Sequence, residues 1–348
     1  MRNTLISLLL LLGLGAGAGS YLWQDYQRFL NAPITLGDQA EALDEPILLE
    51  VPRGQGLRAL ASRLHAEGML DNAHYFIALA YNRQQANQLK AGEYALKPGM
   101  TPPQLLDLLV SGRSVQYPVT LIEGRTFHEV LATIAAAPEI QHKLKGLTDA
   151  EIIAALGLGI EHPEGWFFPD TYFFHRGVTD IEVLKRAHAR MREVLDQEWS
   201  ERDPDLPLTS PEEALILASV IEKETALGSE RPAIAGVFVR RLQQGMRLQT
   251  DPTVIYGLGD DFDGNLTRAD LETDSPYNTY TRAGLPPTPI ALAGREAIHA
   301  ALHPQDGDSL YFVARGDGSH YFSASLAEHN CAVQRFQRNG HCDLSRFQ

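Results

Sequence analysis

The residues best suited to chemistry close one amphipathic stretch, Leu217-Ala218-Ser219-Val220-Ile221-Glu222-Lys223-Glu224-Thr225. Leu217, Val220 and Ile221 precede Glu224 by seven, four and three residues, which puts all four on one helix face. A carboxyl at the end of an apolar stripe loses its water, and desolvation favours the neutral form. A carboxylic acid kept protonated near neutral pH can act as a general acid. Glu222 sits about 200° around the same helix, so the two carboxyls do not face each other. Glu222 is expected to be the more exposed of the pair. The plain alternative is a solvated Glu-Lys-Glu helix end, a common feature of amphipathic helices.

Two polar loops follow. Gly245-Met246-Arg247-Leu248-Gln249-Thr250-Asp251-Pro252-Thr253-Val254-Ile255-Tyr256-Gly257 carries Gln249, Thr250 and Asp251, side chains that can hydrogen-bond sugar hydroxyls and acetamido groups. Asp274-Ser275-Pro276-Tyr277-Asn278-Thr279-Tyr280 supplies Tyr277, Asn278 and Tyr280 for stacking and hydrogen bonding, and leads into Gly284-Leu285-Pro286-Pro287. Either loop alone reads equally well as turn chemistry. Other catalytic signatures fail. His128-Glu129 has no second histidine four residues after the first, so there is no zincin motif. Ser219 has no lysine three residues later, and no phosphate-binding P-loop occurs. The 12 histidines are scattered and read as surface or structural. No metal and no cofactor is expected.

The elements that must position these residues can be read from the pattern. Ser210-Pro211-Glu212-Glu213 is a strong helix start, with a capping serine, proline at the first helical position and acids in the first turn. The helix is expected to end near Gly228, with a second over residues 233–244. Residues 309–314 and a run from His320 form a strand pair around Gly316-Asp317-Gly318. A long helix is expected over residues 181–199. The aromatic block Trp166 to Phe174 reads mainly as core packing, with a sugar-stacking groove as the alternative. Residues 47–113 read as a small α/β module in the order strand, helix, helix, strand, which resembles a LysM-like glycan-binding module.

The chain has 348 residues, 44% of them hydrophobic and 21% charged, enough for a real core in one to three domains. Its formal charge of −14 argues against nucleic acid as a partner, because phosphate neutralisation needs basic patches. Two cysteines, Cys331 and Cys342, exclude a disulfide scaffold, and any bridge between them would staple only the tail. Arg2 precedes an apolar run over residues 4–23, built on Leu8 to Leu12 and closed by Tyr21 and Trp23. That length spans a bilayer, with Arg2 on the cytoplasmic side and the aromatics at the far interface. A cleaved signal peptide is the alternative, since Ala16-Gly17-Ala18 resembles a cleavage site. Both readings export the protein. The expected organisation is an anchor over 1–23, a polar stalk over 24–46, the LysM-like module over 47–113 and a mixed α+β catalytic region over 114–348, with the acid on a helix.

Taken together the motifs resemble a known family. Glu222-Lys223-Glu224-Thr225, the run from Arg247 to Gly257, Tyr277-Asn278-Thr279-Tyr280, Gly284-Leu285-Pro286-Pro287 and Glu164-Gly165-Trp166-Phe167-Phe168-Pro169-Asp170-Thr171 look like those of the endolytic murein transglycosylases, the MltG or YceG-like family. The resemblance covers nearly the whole chain after the anchor. It implies a lyase that cuts the β-1,4 bond between N-acetylmuramic acid and N-acetylglucosamine without water, leaving 1,6-anhydromuramoyl ends and terminating nascent strands. It places the catalytic acid on Glu224. Substrate binding is expected from Glu222, Gln249, Thr250, Asp251, Tyr277, Asn278 and Tyr280. Implied partners are peptidoglycan glycan strands, the inner membrane and peptidoglycan synthases, with the catalytic region in the periplasm. Two other functions fit the same residues. One is a hydrolytic muramidase with Asp251 as second carboxylate; the other is a non-catalytic glycan-binding scaffold for cell-wall synthases.

Overall fold

A computed structural model describes residues 2–37, 46–338 and 340–347, with side chains described from residue 16 onward in the first helix. The fold is mixed α+β, with short two-stranded sheets among helices, and divides into two units.

The first unit comprises residues 1–117 and 174–176. Helix α1 (Arg2–Asn31) is one continuous helix of 30 residues. Among the described residues no helix is long and apolar enough to cross a membrane. The leucine run behind the anchor expectation lies outside the described side chains. The polar stalk expected over 24–46 takes another form as far as residue 37. Residues 24–31 prolong α1, and Phe29, Ile34 and Leu36 are buried in the core of the following module. Residues 38–45 lie outside the described ones.

The module itself follows the expected order. Strand β1 (Ile47–Val51) is followed by α2 (Leu57–Ala66), α3 (Ala73–Asn82) and β2 (Gly92–Leu96). The strands pair antiparallel, Ile47 opposite Leu96 and Val51 opposite Gly92. A further helix, α4 (Pro102–Ser111), completes the unit; Thr101 and Gln104 cap its start reciprocally and Gly112 ends it in the left-handed conformation. Leu60, Leu64, Phe76, Tyr94, Leu105 and Leu109 are buried between these elements. Residues 174–176 join here because Arg176 pairs with the buried Glu93 at 3.2 Å and donates to the Tyr117 hydroxyl.

The second unit comprises residues 118–173 and 177–348. The chain passes into it within β3 (Tyr117–Thr120) and leaves it briefly at the end of β4 (Thr171–Phe174), the partner of β3. Helices α5 (Phe127–Ala135) and α6 (Asp149–Leu156) precede β4. The long α7 (Asp180–Glu201), α8 (Pro211–Glu224), α9 (Arg231–Gln243) and α12 (Arg295–Leu302) pack together as the core. α8 starts as its sequence dictates, with the Ser210 hydroxyl accepting from the Glu213 amide and proline at the first position. Every residue from Ala214 to Ile221 is buried, so α8 is a central helix rather than a one-faced amphipathic one. Between α9 and α12 lie the short α10 (Asp251–Leu258) and α11 (Arg268–Glu272). The hairpin β5 (Tyr311–Ala314) and β6 (His320–Ser323) is followed by α13 (Leu326–Gln337). Cys331 and Cys342 are disulfide-bonded, which ties α13 to the tail.

The aromatic block is core, as read from its composition. Trp166, Phe167, Phe168 and Tyr172 are buried in this unit, while Phe173 is exposed. Gly165 beside them has φ +79°, and a Cβ there would meet the Pro289 ring at 2.4 Å. Only glycine fits that turn.

Candidate active site

Glu224 is the last residue of α8, and the chain leaves the helix in an extended conformation at Thr225. The Thr225 hydroxyl accepts from the Leu227 amide and shapes that exit. The Glu224 side chain keeps a little surface open to a cleft, but its carboxyl group is closely surrounded by protein atoms. Burial pushes this carboxyl well up from its ordinary value, and the nearby Asp251 carboxylate pushes the same way. A hydrogen bond from Thr250 and the proximity of His320 act in the opposite sense. Burial is the largest effect, so the neutral acid persists to higher pH than for an ordinary carboxyl.

Thr250 meets Glu224 because the loop before α10 is held from behind. Its hydroxyl donates to Glu224 Oε2 at 2.6 Å. Its amide donates to Thr279 Oγ1 at 3.1 Å, and Thr253 Oγ1 donates to its carbonyl at 2.8 Å. Thr250, Thr253 and Thr279 are all buried, so three threonines fix the position of one hydroxyl. Gln249 has φ +52°, a left-handed conformation that costs a non-glycine residue energy. Such strain persists where surrounding contacts over-determine the chain. Here the Gln249 amide donates to the Thr279 carbonyl, and the buried Arg241 donates to the Arg247 and Leu248 carbonyls at 3.1 and 2.8 Å. Asp251 opens α10, with Oδ1 accepting from the Tyr280 hydroxyl at 2.5 Å. Burial and that bond push the Tyr280 phenol up, so it stays protonated.

These groups line a cleft of about 530 Å³. Of the residues nominated from sequence, Glu224, Gln249, Thr250, Asp251 and Tyr280 are brought together there. Glu222, Tyr277 and Asn278 are not among its lining residues. The Glu222 side chain is 6% exposed, against the expectation that it would be the solvated one. It pairs with Arg231 at 2.9 Å and accepts from the Gly294 amide at 3.0 Å, pinning the start of α12 to α8. Tyr277 contacts Thr288 through its hydroxyl and packs edge-on against Tyr256. Asn278 is 1% exposed and holds its own loop. Its Nδ2 donates to the Asp270, Leu271 and Thr273 carbonyls, and its Oδ1 accepts from the Tyr280 amide.

The cleft also contains groups that the sequence did not single out. Arg241, Tyr311, His320 and His329 line it from α9, the hairpin and α13. His320 is held by Glu230, whose two oxygens accept from the His320 amide at 2.9 Å and meet Nδ1 at 2.7 Å. Their sequence distance from Glu224 hides them; no local pattern marks one histidine in a strand as a cleft residue. A second buried carboxyl, Glu164, stands on the back of α10. It accepts from the Phe127 amide at 2.9 Å and the Tyr256 hydroxyl at 3.1 Å, and burial pushes it up to about 7.

The fold and site define a protein whose helical core presents one buried, oriented carboxyl to a polar cleft. The comparisons with known proteins give that class a family. The profile of the YceG-like family matches residues 49–335. A Bacillus subtilis protein named endolytic murein transglycosylase is 34% identical over 306 residues, 83% of this chain and 84% of that one. A Streptococcus pneumoniae protein of the same name is 27% identical over 351 residues, 90% of this chain and 61% of that one. The 2.6 Å crystal structure of a yceG-like protein from Listeria monocytogenes superposes with a TM-score of 0.51 at 34% identity, covering 82% of this chain and 99% of that one. The chain belongs to the YceG-like family.

Proposed function

We propose that this chain is a lytic transglycosylase, a lyase acting endolytically on peptidoglycan glycan strands with Glu224 as its single catalytic acid and base. The observation that carries the reading is the Glu224 carboxyl, its proton held more tightly by burial, and bonded by Thr250 at the edge of a polar cleft. The names of the relatives support the substrate class. Protonated Glu224 gives its proton to the glycosidic oxygen as the bond from C1 of the muramoyl sugar breaks. The C6 hydroxyl of that sugar then closes on C1 and its proton returns to Glu224. Bonds and protons balance without water, and the muramoyl end is left as a 1,6-anhydro sugar. One carboxyl suffices, unlike the paired acids of ordinary glycosidases. Asp251, held by the Tyr280 hydroxyl, is the group placed to oppose the positive charge that develops at C1.

The sequence supports a location for this chemistry. The apolar run over residues 4–23 would anchor the chain in the inner membrane with the catalytic region in the periplasm, where nascent strands emerge beside their synthases. The module over residues 47–113, with its strand–helix–helix–strand order, would act as a LysM-like glycan-binding element that raises local substrate concentration.

Product analysis tests the reading. The full chain, purified in detergent, digests peptidoglycan strands, and the new ends are identified by mass spectrometry beside those from Glu224→Gln. Internal cuts with anhydromuramoyl ends are expected, at a rate about 10²–10⁴-fold lower in the variant. Reducing ends would instead establish a hydrolase, with Asp251 as the second carboxylate. Strand binding without cleavage would establish a scaffold.

A further inference from the structure

Outside the cleft, one cluster joins α7 to α12. His299 lies in the last turn of α12 and His303 is the residue that caps its C-terminus, with ring centroids 4.4 Å apart. Glu198, near the end of α7 and 5% exposed, faces them. One ligand atom from each of Glu198, His299 and His303 falls within a sphere where all three lie within 4.8 Å of one another. Both imidazoles are already oriented by carboxylates. His299 Nδ1 meets Glu198 Oε2 at 2.9 Å, and His303 Nδ1 meets Asp203 Oδ1 at 2.8 Å. The backbone holds the arrangement, because the Asp203 amide donates to the Leu302 carbonyl at 3.0 Å. The other Glu198 oxygen is taken by Arg295.

We propose that Glu198, His299 and His303 form a binding site for a divalent transition-metal ion of the zinc class. One imidazole from the last turn of a helix, a second from its C-cap and one carboxylate from a neighbouring helix form a three-ligand set for such an ion, with a fourth position left to water. Imidazole donors select zinc, nickel or copper over magnesium and calcium, which demand oxygen ligands. The Asp203 contact at His303 matches the carboxylate–histidine pairing that orients ligands and raises their basicity. A tetrahedral ion needs ligand atoms about 3.4 Å apart at ordinary zinc–ligand lengths. His299, with 56% of its side chain exposed, has the rotamer freedom to close that gap. Arg295 stays on Glu198 Oε1, and the ion takes Oε2 in place of its present contact with His299 Nδ1, so the carboxylate bridges ion and guanidinium. The bound ion would clip α7 to α12, the helix that Glu222 ties to α8.

Zinc binding to the full chain tests this. The chain, purified in detergent without a histidine tag and stripped with EDTA, is titrated with zinc chloride by calorimetry, and its Tm is read with and without the ion. One zinc per chain is expected, with a zinc-dependent rise in Tm. His299→Ala and His303→Ala should each weaken binding at least tenfold and remove the Tm response, while magnesium chloride produces neither effect. Far-UV circular dichroism confirms that the variants fold. A wild-type chain that takes up no stoichiometric zinc overturns the site. So does uptake that persists unweakened in the double variant, because the ion would then sit on other groups.

Discussion

At the Glu224 carboxyl, neighbours pull in opposite directions, and the balance is open to test. Burial and Asp251 favour the neutral acid, whereas Thr250 and His320 favour the carboxylate. The folded group is raised, so its proton-donating form persists above the ordinary carboxylate range and is lost as pH rises through the folded value. Thr250→Val removes the hydroxyl that donates to Glu224 Oε2 and keeps the shape and the amide contact to Thr279. The carboxyl should then be raised further. The alkaline limb of the pH–rate profile should move to higher pH, and under the proposed mechanism the maximal rate should fall, because the carboxylate proposed to take back the C6 proton has lost its donor. A profile whose alkaline limb stays in place would mean that a group other than Glu224 sets it.

At the scale of the elements, the sequence carries the helix that presents the acid but not the partners the acid meets. Serine cap, proline and apolar spacing define the start and body of α8, because each signal is local, whereas its end falls at Glu224 rather than near Gly228 as expected. The hairpin and the small module were legible for the same reason. Tyr277 and Asn278 have residue types that suit sugar recognition, yet the fold uses them to hold backbone. Residue type reports what a side chain can bond, and burial decides what it does bond. His320 is held at the cleft by Glu230 across 90 residues, and His299 meets Glu198 across 101, which no periodicity records. Asn278 makes the structural role measurable. Asn278→Ala leaves three carbonyls and one amide without their partner. The two Nδ2 hydrogens are shared among three carbonyls, so the four contacts amount to about three full bonds, and at roughly 1 kcal/mol each the loss is about 3 kcal/mol, read as a lower urea midpoint. Because the Tyr280 amide is one of the released groups, cleavage should fall as well. Unchanged stability would mean that water replaces the side chain in full.

At the scale of the whole second unit, Glu164 joins parts distant in sequence: the start of α5 through the Phe127 amide, the aromatic core beside Gly165, and α10 through Tyr256. It is 2% exposed, and burial, the largest cause, raises it to about 7 against the hydrogen bonds that favour ionisation. The folded chain therefore holds this proton more tightly than the unfolded chain. Its contribution to stability is fully present below about pH 4.5, the unfolded value, and is lost as pH rises to about 7. Across that window the loss is about 3 kcal/mol. Three desolvated histidines, His162, His188 and His329, are lowered and act in the reverse direction, binding protons more readily when unfolded. The wild-type curve alone would blend the two effects, so the difference from Glu164→Gln isolates the carboxyl. The variant keeps the shape and an oxygen for the Phe127 amide, and it cannot ionise. Its stability relative to wild type should rise by about 3 kcal/mol between pH 4.5 and 7, measured by urea unfolding of each chain at matched pH. Parallel curves would mean that Glu164 ionises as easily in the folded chain as in the unfolded one, and that the link between α5 and α10 is a carboxylate rather than an acid.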